Sequence, residues 1–234
     1  MLSSDARAIL GFLKDVDSER ARLGADPALQ RRVLALKAFQ HRRFERTYAD
    51  QLASSATGDA ARFFLSELYG ARDFSTRDAQ FARIVPALDR QFPDEVVRTV
   101  RDLAELHALS EQMDHRMAEA LPAEEVDAAS YRDAWCRVGR PAVREQQIEL
   151  MLRVGRALVG YTRNRWLGRS LRLMRGPARL AGLEALHAFL ERGFDTFAAL
   201  RDPQAFLDTV ATRERALAAQ LFTLPAAPPP ADLG

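Results

Sequence analysis

A chain of 234 residues, 47% hydrophobic and 28% charged, is large enough for one big domain or two small ones and buries a core without covalent staples. Its one cysteine, Cys136, excludes an internal disulfide, a cysteine-based zinc site and a redox pair. The formal charge is +2, and of 34 basic residues only Lys14 and Lys37 are lysine. That bias either follows a GC-rich genome or reflects use of arginine for bidentate grip on carboxylates and phosphates.

Apolar residues recur with helical rather than alternating period almost throughout, and helix punctuation falls at the breaks. The first helix is expected from near Ser4 to Gly24, with Ile9, Leu10, Leu13 and Val16 on one face. Asp26-Pro27 then supplies a cap and a first-turn proline for a long helix to about Ser54, striped by Leu29, Val33, Leu36, Phe39 and Phe44. Thr57-Gly-Asp opens the helix of Phe63, Phe64, Leu65 and Leu68, which Gly70 is placed to stop. Ser75 with Asp78 reads as a capping-box variant, starting a helix to about Phe92 that Pro86 should kink.

Pro93-Asp-Glu starts a long helix to Leu121, and Asp127 a short one that stops at Gly139. Pro141 opens another to about Trp166. Further helices are expected near 168–175 and 177–200, and Asp202-Pro203 caps the last, which ends near Phe222. No run of alternating β-branched residues appears. The expected fold is therefore all-α: a single bundle of about eight or nine helices over residues 1–224, with a disordered Pro/Ala-rich tail at 225–234.

The N-terminal stretch meets charge too early for a signal peptide, and no run approaches the roughly 18 apolar residues of a membrane span. The expected compartment is the cytoplasm. There is no phosphate loop, no GxSxG elbow, no HExxH and no CxxC, and the Glu-x-x-His pairs of di-iron bundles are missing. Enzyme chemistry of the common kinds has no handle here.

Two polar features remain as candidate sites. On the helix ending at Leu121, Val100, Leu103, His107, Ser110, Asp114 and Leu121 fall on one stripe, with Glu111 beside His107. A buried His, Glu and Asp group must be hydrogen-bonded, ion-paired or bound to something. His107 and Glu111 are tentative ligand residues, with Asp114. His107, with Glu111 or His115 assisting, is a metal or haem ligand only if such a group is present. The plainer reading pairs Glu111 and Asp114 with arginines of neighbouring helices.

The second feature runs from Leu150 to Leu183: eight arginines (153, 156, 163, 165, 169, 172, 175 and 179) and no acid. Its content suits an anionic partner, whether a nucleic-acid backbone, an acidic lipid surface or a small carboxylate or phosphate. Arg163, Arg165, Trp166 and Arg169 are its tentative ligand residues, and Tyr161 and Trp166 could stack on bases or rest at a lipid interface. The plainer reading pairs these arginines with acids elsewhere. Residues 31–48 carry six basic residues against one acid and could extend the surface, though Leu34, Phe39 and Phe44 read better as core. His41 is expected to be exposed, and His187 offers no obvious partner.

The strings FFLSELYGARDFSTRDAQFARIVPAL, LEALHAFLERGFDTF and DPQAFLDTVATRERALAAQLF resemble a group of proteobacterial all-helical proteins of this length, known as an uncharacterised domain family. The resemblance spans about residues 20 to 222. It implies a helical fold in a bacterial cytoplasm and carries over no activity. The expected function is a non-catalytic helical binding protein for a partner protein or a small anionic or apolar ligand. The alternatives are metal or haem binding at His107 and anionic-surface binding through 153–179.

Overall fold

The computed structural model of the chain describes residues 1–67 and 74–223, apart from the side chain of Arg165. The described residues form twelve helical segments and no strand. They are α1 (Ser4–Ala25), α2 (Pro27–Thr47), α3 (Ala49–Ala53), α4 (Gly58–Glu67), α5 (Ser75–Gln91) and α6 (Asp94–Ala120), then α7 (Ala128–Val138), α8 (Pro141–Thr162), α9 (Arg165–Leu173), α10 (Arg175–Leu180), α11 (Glu184–Ala199) and α12 (Pro203–Leu221).

The count exceeds eight or nine because long expected helices are divided. The helix expected from Pro27 to Ser54 breaks at Tyr48, whose φ and ψ of −115° and 22° leave the helical region. The one expected from Pro141 to Trp166 ends at Thr162, and Asn164 restarts the chain as α9 by accepting from the backbone N–H groups of Trp166 and Leu167. Gly182, with φ +64°, separates α10 from α11, a conformation that costs most residues but not glycine.

Caps elsewhere follow the sequence. Asp26 accepts from the N–H groups of Ala28 and Leu29, and Asp127 and Ser130 form a reciprocal capping box. The helix at Ser75 starts where expected, but Phe74 is its N-cap and makes no side-chain cap. Asp78 directs its carboxylate to neighbouring helices instead. The expected stop at Gly70 and the Pro/Ala-rich tail lie outside the described residues, as do Leu68 and Tyr69.

The central helix is α6, which packs against α1, α2, α5, α7 and α8. Three large apolar clusters and a smaller one of Leu29, Val33 and Ala118 surround it. Phe44, Tyr48, Phe64, Leu106, Leu150, Phe197 and Leu207 join α2, α4, α6, α8, α11 and α12. Leu36, Phe39, Met117, Tyr131, Trp135 and Leu221 join α2, α6, α7 and α12, while Ile9, Leu13, Phe81, Val85, Val97 and Leu186 join α1, α5, α6 and α11. Each such side chain contributes roughly 1.5–3 kcal/mol by leaving water. Leu34, expected in the core, is 50% exposed. It sits on α2 one residue past Val33, and the buried stripe turns away from it.

Helices α9 and α10 form an arm. α9 and α10 pack on each other, and both rest on α11. Gly168 makes this possible, because a Cβ built there would lie 2.6 Å from Cε1 of Phe194. His187 of α11, which looked partnerless in sequence, is buried and hydrogen-bonds through Nε2 to the Leu171 carbonyl of α9 at 2.8 Å.

Candidate functional site

The polar stripe of α6 is real, but neighbouring helices complete it. His107 Nε2 lies 2.9 Å from Asp78 Oδ2, and Arg20 of α1 donates to the same oxygen at 2.5 Å. Arg77 lies 3.6 Å from the other Asp78 oxygen and donates to Glu67 at 3.0 Å, while Arg192 of α11 donates to Glu67 at 2.8 Å. Burial by itself would raise the Asp78 pKa. The hydrogen bond and charge of His107 and the hydrogen bond from Arg20 outweigh it, so Asp78 titrates below the usual carboxylate range. The Arg77 guanidinium is also stacked 4.0 Å over Phe74 and 4.7 Å over Phe189.

Glu111 and Asp114, expected to meet arginines, meet one of the chain's two lysines. Lys37 Nζ of α2 lies 2.7 Å from Glu111 and 4.0 Å from Asp114, and Gln40 donates to Asp114 at 2.9 Å. Asp114 is buried enough that loss of solvation, the largest effect on it, holds its pKa above the ordinary value despite Lys37. Ser110 accepts from Gln147 of α8 at 3.0 Å.

His115 points elsewhere. Its Nδ1 lies 2.9 Å from Glu19 of α1 and its Nε2 lies 3.3 Å from Glu119. His107, Glu111 and His115 thus serve three separate helix contacts and do not converge. Among the described residues, no group of three or more His, Cys, Asp or Glu side chains is placed to hold a metal ion.

The arginine run divides in two. Arg153 pairs with Asp102 at 2.8 Å, Arg172 with Asp195 at 2.9 Å and Arg175 with Glu191 at 2.5 Å, which is the paired arrangement the near-zero net charge permits. Arg156, Arg163, Arg169 and Arg179 are exposed and meet no carboxylate among the described residues. The side chain of Arg165 lies outside the described residues. Tyr161 is not displayed for stacking: it is half-buried, and its hydroxyl shares a hydrogen bond with Thr99 at 2.8 Å.

Around the unpaired arginines stand large apolar side chains. Trp166 is 75% exposed, Leu173 80%, Met174 54% and Leu180 92%. Four such residues within one 15-residue arm are more than the scattered apolar exposure of an ordinary surface. The Arg169 guanidinium lies 5.7 Å from the Trp166 ring centroid. At the base of the arm, Arg163 lines an open cleft of about 250 Å³ with Val159, Thr162, Phe197, Leu200 and Pro203.

Sequence reasoning found the charge of this arm and Trp166 but missed Leu173, Met174 and Leu180. Leu173 and Leu180 look like core residues until the short α9 and α10 are seen to turn them outward. Residues 31–48 do not extend the basic surface as a whole. Arg31 pairs with Glu124, Lys37 with Glu111 and Arg43 with Glu214, and Arg43 is buried. His41 is only half-buried and lies 3.8 Å from Glu45.

Among the described residues, these features define an all-helical protein whose α6 polar groups are engaged between helices, and whose α9–α10 arm sets exposed apolar side chains beside unpaired arginines. The chain belongs to the family described as Domain of unknown function (DUF8198), which matches residues 19–228. No curated protein and no solved structure matches it. No described helix is long and apolar enough to cross a membrane.

Proposed function

We propose that the protein is a non-catalytic helical binding protein that holds an anionic partner on the α9–α10 arm. The observation that carries this reading is the juxtaposition of exposed Trp166, Leu173, Met174 and Leu180 with unpaired Arg163, Arg169 and Arg179 in a segment without acids. Apolar exposure of this kind costs solubility unless something covers it, and the arginines select a negative cover. The polar groups of α6, which could have served chemistry, are engaged in contacts between helices.

The test is salt-dependent retention on an anionic matrix. The triple variant Arg163→Glu, Arg169→Glu, Arg179→Glu should elute at much lower salt than Arg90→Glu, Arg98→Glu, Arg116→Glu, which changes the net charge equally at exposed positions outside the arm. Equal loss of retention in the two variants would refute a localised binding surface.

A further inference from the structure

Trp166 and Leu173 are seven residues apart on α9, so they stand roughly 20° apart around the helix, with Arg169 about 60° to one side of Trp166. Both side chains are at least three-quarters exposed, and Leu180, at the end of α10, is 92% exposed. Residues displayed to this degree line no groove. They protrude, and a folded partner would have to offer each a matching pocket. A lipid interface deforms around protruding groups and demands no such fit. It also favours the residue types present here: tryptophan at headgroup depth, leucine below it, and arginine reaching back to phosphate.

The charges point the same way. Two acids of α11, Asp195 and Glu191, are paired with Arg172 and Arg175 where the arm meets that helix. Arg163, Arg169 and Arg179 are therefore left for an outside anion.

We infer that the α9–α10 arm docks on an anionic lipid bilayer, with Trp166 and Leu173 entering the interface and Arg163, Arg169 and Arg179 meeting headgroup phosphates. This rests on the arm being the binding surface. Each arginine near such a surface strengthens binding roughly fivefold, and the apolar residues set how deeply the arm enters.

The chain has two tryptophans, and the other, Trp135, lies in the buried cluster between α7 and α12. In full-length Trp135→Phe protein, Trp166 is thus the sole tryptophan. The probe is vesicles of phosphatidylcholine with about one-third phosphatidylglycerol at low ionic strength, with pure phosphatidylcholine as reference. Binding to the anionic vesicles alone, a blue shift of Trp166 emission and its quenching by brominated acyl chains are expected. Arg169→Gln with Arg179→Gln should weaken binding roughly 25-fold. If Trp135→Phe fails to fold, cosedimentation of the wild-type and double-arginine proteins carries the test.

Absence of vesicle binding at low salt, binding that leaves Trp166 emission unchanged, or equal binding by the double variant would overturn the inference. Arm-dependent retention on an anionic matrix without vesicle binding would leave the binding surface standing and remove lipid as its occupant. A nucleic acid or an acidic protein would then take that place.

Discussion

His107 Nε2 and Asp78 Oδ2 lie 2.9 Å apart, and this contact ties α6 to α5 across the middle of the fold. Asp78 is 5% exposed, so its charge is tolerated only because His107, Arg20 and Arg77 surround it. Its folded pKa is depressed. The stability it contributes is present above the unfolded carboxylate value of about 3.9 and is lost as pH falls through the lower folded value. His107→Ala should cost about 3 kcal/mol at neutral pH, because it leaves a buried charge with one partner fewer. Urea unfolding at several pH values checks this, and a cost below the scatter of the measurement would remove the structural role of the pair.

Asp114 has the opposite sign. Its folded pKa is raised, so its contribution is fully present below the unfolded value and falls away as pH rises through the folded one. Asp114→Asn should therefore gain stability relative to wild type as pH rises from acid toward neutral. The difference between their urea midpoints, followed with pH, is the measurement. A difference that shrinks with rising pH would contradict the assignment.

Glu67 anchors two arginines of unequal burial. Its side chain is 4% exposed, that of Arg77 is 15% and that of Arg192 is 53%. Glu67→Ala should cost about 3 kcal/mol, since it strips Arg77 of its closest carboxylate in a part-buried site. Arg192→Ala should cost less than about 1 kcal/mol, as expected of an exposed pair member. Thermal or chemical unfolding of the two variants side by side gives the ratio.

Two helical glycines should respond in opposite directions to the same substitution. Gly11 of α1 has nothing within 4 Å of a built Cβ, so Gly11→Ala should stabilise by about 0.5–1 kcal/mol through the lower backbone entropy of the unfolded chain. Gly168→Ala places the methyl 2.6 Å from Phe194 and should destabilise by about 1 kcal/mol or more. Phe194→Leu in the Gly168→Ala background should recover part of the loss, and a circular-dichroism melt of the three proteins would read it.

Helix positions were legible because local signals set them. Asp26-Pro27, Asp127 and Asp202-Pro203 each cap the helix that follows, and the apolar period marks the buried face of α1 and α2. What was hidden depended on partners distant in the chain. Nothing near His107 announces Asp78, 29 residues away, and nothing near Lys37 announces Glu111, 74 residues away. The division of the arginine run was equally hidden, since Arg172 and Arg179 differ only in whether α11 brings an acid to them. Beyond Trp166, the apolar side of the arm escaped notice because Leu173 and Leu180 carry the residue type of a core and only the close seat of α9 on Phe194 sets which face is left outside.

The seat of Lys37 between Glu111 and Asp114 has a practical side. The chain has only two lysines, and the Lys37 side chain is 18% exposed and ion-paired, whereas Lys14 stands on the outer face of α1. Of its two lysines, a folded molecule therefore offers amine-directed reagents Lys14 in preference to Lys37. Dyes, crosslinkers and surface tethers would attach at Lys14 on α1, far in sequence from the arginine arm, and leave that arm free to be watched.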